Sequence, residues 1–243
     1  MNKFGLQNYS LNEICKDVGI IKRLEKAKEL GYTGVELCGI SEISAKELRE
    51  VAASLGLDIY SMHIGVNDFD DRMDEYFEYI NELGLQFAVF PYAQLNTADD
   101  AAKLGERLGE YAEKAAMNGL RFCYHNHADE FKKTDDNEYF FDIIMQNASD
   151  LLEIEFDVGW IKHAGADPYE MLRRYSGRVP LIHVRQLNDD NRFCGLDIAG
   201  KIDLPSVKAL ADRFGVEGYI AEFAPEDVTE KEIRKSADYL RVL

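Results

Sequence analysis

The chain has 243 residues, 46% of them hydrophobic and 30% charged, with a formal net charge of −17. That balance describes a globular protein with enough length to bury a substantial core. A field of that sign repels phosphate backbones and anionic bilayers, which argues against nucleic acid and membrane as partners, although a local basic pocket could still hold a small phosphorylated ligand.

Strand-like runs recur along the whole chain: Phe4–Gln7, Gly34–Cys38, Asp58–His63, Gln86–Tyr92, Arg121–His127, Leu152–Asp157, Val179–Gln186 and Gly218–Phe223. Each is followed by a stretch with helical spacing. The first, Leu11 to Leu30, carries Ile14, Val18, Ile21, Leu24, Ala27 and Leu30 at three- and four-residue steps. The others are Ala45–Leu55, Arg72–Leu83, Ala98–Met117, Glu138–Gln146, Pro168–Tyr175, Leu204–Phe214 and Glu230–Leu243. Glycines at 31, 56, 84, 119 and 215 stand where a helix C-cap needs a left-handed residue, and the next strand begins at once. Eight such units in this length predict an α/β fold, a (β/α)8 TIM barrel, rather than an open doubly wound sheet. No G-x-G-x-x-G follows the first strand, and Gly195 to Gly200 lacks P-loop lysine spacing. With no linker or low-complexity segment, residues 1–243 are expected to be a single domain.

The N-terminus has no apolar signal core, and the longest apolar run, Phe87 to Tyr92, is far too short to span a bilayer. Cys15, Cys38, Cys123 and Cys194 include no C-x-x-C pair, so reduced thiols and a cytoplasmic location are expected.

In a barrel of this type, function sits at the C-terminal ends of the strands. Four of the five histidines fall there: His63, His125, His127 and His183. The fifth, His163, is expected on a surface loop after strand six, and none is expected on a helix. Acidic residues inside apolar strands are costly unless paired or metal-bound. Glu36, Asp157 and Glu222 are such residues. Glu155 shares a parity with Asp157, but is expected to turn into the helix layer and meet a basic side chain. Asp157, His183 and Glu222 on three consecutive strands form a mixed nitrogen and oxygen set suited to Mn²⁺, Mg²⁺, Co²⁺ or Zn²⁺.

Taken in order, the motifs resemble those of the xylose isomerase-like TIM barrels, the group of sugar phosphate isomerases and epimerases. They begin with Gly5-Leu6-Gln7-Asn8-Tyr9-Ser10, Gly31-Tyr32-Thr33-Gly34-Val35-Glu36-Leu37 and Ser61-Met62-His63. The most specific is Tyr124-His125-Asn126-His127-Ala128-Asp129-Glu130-Phe131, similar to a Tyr-His-Asn-His-x-x-Glu-Phe signature of one subgroup. Phe156-Asp157-Val158-Gly159-Trp160, Ala164 to Pro168, Gly177 to Val179, Ile182-His183-Val184-Arg185 and Ala221-Glu222-Phe223 complete the series.

The resemblance implies a divalent metal held by a carboxylate at strand five, an Asp at strand six, a His at strand seven and a Glu at strand eight. Asp157, His183 and Glu222 match. At strand five either His125 replaces the carboxylate or Glu130 reaches back, and Glu130 is favoured slightly because it restores a hard oxygen. Where relatives read His-x-Lys-Asp, this chain has His183-Val184-Arg185-Gln186, which keeps a cation and loses an acid.

The implied chemistry is isomerisation or epimerisation of a small carbohydrate or sugar phosphate. A proton next to a carbonyl is removed and the metal, as Lewis acid, stabilises the enediolate. Glu222, His125 and His127 are the candidate bases. Glu36, His63, Trp160 and Arg185 are expected to line the sugar pocket, though Trp160 could equally pack at the barrel rim. Alternatives are a metal-dependent lyase or dehydratase on a keto sugar or keto-inositol, a non-catalytic sugar-binding barrel, and, last, a DNA-repair endonuclease. Homo-oligomerisation is left open.

Overall fold

Short apolar strands that alternate with amphipathic helices cannot bury both faces of each strand except in a parallel sheet sheathed by helices. A computed structural model of the protein, which describes residues 3–224 and 228–243, shows that solution. Eight parallel strands close into a barrel: β1 (Lys3–Gln7), β2 (Gly34–Cys38), β3 (Asp58–His63), β4 (Phe87–Phe90), β5 (Arg121–His125), β6 (Leu152–Asp157), β7 (Leu181–Val184) and, after a small hairpin, β10 (Gly218–Ala221), which pairs with β1. The helices are α1 (Ile20–Leu30), α2 (Ala45–Leu55), α3 (Met73–Leu83), α4 (Ala98–Met117), α5 (Phe140–Asn147), α6 (Val158–His163), α7 (Pro168–Arg174), α8 (Leu204–Arg213) and α9 (Glu230–Leu240). The (β/α)8 expectation is met.

Three local differences from the sequence pattern matter for the site. The first helix begins only at Ile20. A 3-10 turn occupies Asn8–Leu11, Asp17 adopts a left-handed φ of 57°, and the amide of Ile20 donates to Glu42 Oε1 at 2.6 Å. The apolar spacing through Ile14 and Val18 belongs to this irregular stretch. Second, a short extra helix, α6, follows β6 directly because the Asp157 side chain caps it, accepting from the amide of Trp160 at 2.8 Å. His163 therefore lies on a helix, not on the loop expected for it. Third, the seventh strand stops at Val184. Gln186–Leu187 (β8) pairs antiparallel with Phe193–Cys194 (β9) as a separate hairpin.

Strand parity layers the barrel interior. Toward the N-terminal end, Arg121 bridges Glu153 (2.6 Å) and Glu217 (2.6 Å). Phe87, Val89, Cys123 and Leu181 form a small apolar plug distinct from the main core between sheet and helices. Next to them Tyr60 fills space that β1 and β2 leave open: a Cβ on Gly34 would come within 2.2 Å of its ring. Above the plug the interior turns polar, with Gln7, Glu36, Ser61, His63, His125, Glu155, Asp157 and His183 all buried. The four cysteines are free thiols, and only Cys38 is exposed.

Candidate metal centre and active site

The barrel register carries these side chains to one place. Cα pairing sets Gln7 beside Glu36, His125 beside Glu155 and Asp157 beside His183. Arg185 follows the end of β7 and Glu222 the end of β10, one step nearer solvent than the strand position expected for Glu222.

The lower tier is a carboxylate floor. Glu36 accepts from Gln7 Nε2 (2.7 Å) and Ser61 Oγ (2.6 Å), and lies 2.6 Å from His183 Nε2. One oxygen of Glu155, Oε2, is 2.8 Å from His63 Nε2, 3.1 Å from His125 Nδ1 and 3.1 Å from His183 Nε2. Burial pulls the imidazoles of His63 and His183 down, but Glu36 and Glu155 outweigh it and hold both well above the usual histidine range. Burial of Glu155 is likewise overcome by His183 and His63, which keep its carboxyl well below the usual range.

The upper tier faces the barrel mouth. His183 turns its other nitrogen, Nδ1, to Glu222 Oε2 at 2.9 Å, and His125 Nε2 is 3.8 Å from the same oxygen. Arg185 spans the two remaining acids, with Nε on Asp157 Oδ2 (2.6 Å) and Nη2 on Glu222 Oε2 (2.6 Å). Burial of Glu222 is overcome by Arg185 and His183, so it stays ionised. Arg185 is itself packed between Phe193 and Trp160, 4.8 and 5.6 Å from their ring centres.

Two overlapping groups among the described residues could hold an ion: His125, Asp157, His183 and Glu222 above, and His63, His125, Glu155 and His183 below, with donor atoms within 4.8 Å of one another in each. Ligands about 2.1 Å from an ion stand at most about 4.2 Å apart, so donors this close to one another lie within reach of a single ion; in the upper group Arg185 would share Asp157 Oδ2 and Glu222 Oε2 with it or give them up. The upper set mixes imidazole and carboxylate and fits a borderline divalent ion. It also satisfies a second condition. A metal-bound histidine donates its other N–H to a carboxylate. Here the floor residues Glu155 and Glu36 meet the rear nitrogens of His125 and His183.

The expected residues fall as follows. His125, Asp157, His183 and Glu222 come together. Glu130 does not join them: its oxygens take Tyr124 Oη (2.6 Å) and the His127 amide (3.0 Å), and burial pushes its carboxyl up to about 7. Glu36 lies beneath the pocket rather than on its wall. Glu155, expected in the helix layer, points into the barrel and is the central acceptor of the floor. Its shared parity with Asp157 was the signal. Gln7 and Ser61 carry no signal of their own and become visible only through their hydrogen bonds to Glu36. Gln186 plays no part at the ion group. Its Nε2 donates to Ile202 O, and its Oε1 accepts from the amides of Leu187 and Ile202, clasping the loop after β7.

Above the ion group opens a cavity of about 580 Å³, with His63, His125, His127, Arg185 and Glu222 at its floor and Tyr9, Val66, Tyr92, Trp160 and Phe193 among its walls. His127 is held well below the usual histidine range by burial and by its neighbour His125, so it is a neutral imidazole at pH 7. Three buried polar atoms of this cavity have no partner: His127 Nδ1, Trp160 Nε1 and Arg185 Nη1. Unsatisfied buried polar atoms of this kind await a ligand or water.

The chain is similar to known proteins over most of its length. The chain is 24% identical over 193 residues to inosose dehydratase from Geobacillus kaustophilus (strain HTA426), covering 69% of this chain and 62% of that protein's length. It is 21% identical to the rhizopine catabolism protein MocC of Rhizobium meliloti, covering 93% of this chain and 81% of that one. Among solved structures it is similar to a sugar phosphate isomerase/epimerase from Parabacteroides distasonis ATCC 8503, with a TM-score of 0.79 and 26% identity over 99% of this chain and 93% of the other. The model of the xylose isomerase-like TIM barrel family matches residues 24–243, and the chain belongs to that family.

Proposed function

We propose that this protein is a divalent-metal-dependent enzyme that removes the proton next to a carbonyl of a sugar-like substrate, the step shared by sugar isomerases, epimerases and dehydratases. The observation that carries this reading is the pairing of His125 and His183. Each has one nitrogen on a floor carboxylate and the other in the group with Asp157 and Glu222. His125, Asp157, His183 and Glu222 would hold the ion, which as Lewis acid would polarise a substrate carbonyl. Glu155 and Glu36 fix the tautomers of the two histidines from behind. Arg185, through its free Nη1, and Trp160, through Nε1, donate to substrate oxygens and orient the ring. His127, neutral and open to the cavity, takes the proton at Nδ1. The apolar walls exclude water around it.

The test is solvent deuterium exchange into ketoses, inososes and 3-keto sugars, with protein stripped of metal and then reloaded with Mn²⁺. Exchange should require the ion, and His127→Gln should lower it by about 10²- to 10⁴-fold at nearly unchanged KM. Exchange that survives metal removal, or an unaltered rate in His127→Gln, overturns the reading.

One observation favours the dehydratase form of this chemistry over the epimerase form. Epimerisation takes a proton from one face and returns it on the other, which needs a base on each side. Glu222 is paired with Arg185 and His183 and is assigned to the ion, leaving His127 as base on one face only. Elimination of water from a keto-inositol or keto sugar needs no second base on the opposite face: the proton that His127 takes from carbon can be handed to the hydroxyl on the neighbouring carbon as its C–O bond breaks, so that it leaves as water. The relatives named as inosose dehydratases support the same choice.

A further inference from the structure

The cavity is larger than a monosaccharide and its outer wall is apolar. Even at the volume of liquid water per non-hydrogen atom, about 30 Å³, a twelve-atom hexose fills less than two-thirds of the 580 Å³. Tyr9, Val66 and Tyr92 stand at this mouth with 43%, 46% and 41% of their surfaces exposed, three of the eight large apolar residues so exposed among the described residues. Clustering of this kind on a cavity rim marks a surface that a ligand covers.

The positions that hold phosphate in barrels of this type are the loops after the last strands and the helix N-termini beside them. Here several of the described donors at these positions are taken by the protein's own side chains. Gln186 Oε1 occupies the amides of Leu187 and Ile202, Asp203 caps Ser206 at the start of α8, and Thr229 caps Glu232 at the start of α9. Of the two arginines that line the cavity, Arg185 is committed to Asp157 and Glu222, and Arg192 is a solvent-exposed side chain 3.8 Å from Asp190; His63, the other cationic group there, is held by Glu155 and Glu36.

We infer that the ligand of this site is an unphosphorylated glycoside. Its sugar ring lies on the floor, where His127 Nδ1, Trp160 Nε1 and Arg185 Nη1 await polar partners. Its apolar aglycone lies against the Tyr9–Val66–Tyr92 rim. The inference rests on the carbohydrate reading of the site given above.

The experiment is calorimetric titration of the Mn²⁺-loaded protein with methyl β-D-glucoside, phenyl β-D-glucoside and glucose 6-phosphate. Trp160, the chain's single tryptophan, reports by its emission whether binding occurs in this cavity. Phenyl glucoside should bind at least tenfold more tightly than the methyl compound. Glucose 6-phosphate should bind no better than the methyl compound. In the doubly substituted Val66→Ser, Tyr92→Ser protein the phenyl-to-methyl ratio should collapse toward one. Equal affinities for the two glucosides, or preference for the phosphate, overturn this inference and leave the carbohydrate reading standing. Failure of all three to bind also overturns this inference, while the carbohydrate reading is decided separately by the proton-exchange assay on keto sugars and inososes. A change of oligomeric state in the double variant with the ratio intact identifies the rim as a contact between copies of the chain and overturns the inference as well.

Discussion

Glu130 offers the cleanest physical test of how the turn after β5 is built. It is fully buried, and burial raises its carboxyl from 4.5 to about 7. The sign follows directly. In the unfolded chain the group loses its proton near 4.5, whereas in the folded protein it keeps the proton to about 7. The stabilisation it gives is therefore complete below 4.5 and is lost as the pH rises through 7. At about 1.36 kcal/mol for each tenfold change in proton affinity, the loss amounts to about 3 kcal/mol between pH 4.5 and 8. For a chain of this size that corresponds to roughly 6–12 °C in Tm.

Glu130→Gln removes the titration while keeping the contacts, since an amide can donate to Tyr124 Oη and accept from the His127 amide. Thermal unfolding of the metal-free proteins should then show a wild-type Tm that falls relative to the variant by about that amount between pH 5 and pH 8. The variant should be the more stable protein at pH 8. A Tm difference that does not vary with pH, or that grows in favour of the wild type, refutes the reasoning. Mn²⁺ uptake, measured on the same samples, should be unchanged. Its loss would return Glu130 to the ion.

Further expectations can be checked together. Asp157→Ala, His183→Ala and His125→Ala should each abolish or sharply weaken Co²⁺ binding, read from the d–d absorption of the loaded protein. Loss at His125 equal to that at Asp157 marks it as the fourth ligand. Glu155→Gln removes the negative charge behind His125 and should weaken ion binding by about 10- to 100-fold without unfolding the barrel; an unaltered affinity would place Glu155 outside the centre. Gly159→Ala puts a Cβ 2.4 Å from the Cβ of Arg185. It should cost about 1–3 kcal/mol in chemical denaturation, with an altered Trp160 emission as Arg185 shifts from beside the ring. Lowering the pH should leave proton exchange undiminished down past 6.5, because burial keeps His127 neutral there, and a decline centred at the ordinary histidine value would assign the base to another residue.

The barrel was legible because its signals are local and repeated. Helix spacing, C-cap glycines and short β-branched runs each concern a few adjacent residues, and eight repetitions left one compact solution. The irregular segments were harder for the same reason. The spacing of Ile14 and Val18 imitates a helix, while the left-handed Asp17 and the long-range cap from Glu42 that break it are not local signals. In the site, Asp157, His183 and Glu222 stood out because acids and histidine are costly in apolar strands. Glu155 was assigned to the wrong side of the sheet although its parity with Asp157 pointed inward, because the basic partners it meets are histidines contributed by three other strands. The role of Glu130 turned on two hydrogen bonds, from Tyr124 six positions away and from the His127 amide three positions away. Spacing alone could not distinguish that from a reach toward the ion.

The Gln186 clasp has a consequence for how this barrel can change. One amide side chain ties together the two ends of the loop after β7: it binds Leu187 on one side and both polar groups of Ile202 on the other, and the Lys201 amide adds a bond to Leu187 O. The segment between is closed at its base independently of its own content. Lengthening such a closed loop costs only slowly growing entropy, and its ends stay fixed while Asn188 to Gly200 is rewritten. The wall that carries Asn191, Arg192 and Phe193 is in that sense a replaceable cartridge, and exchanging it with a segment of different length should alter which molecules enter while His183 and Arg185, just before the clasp, keep their places.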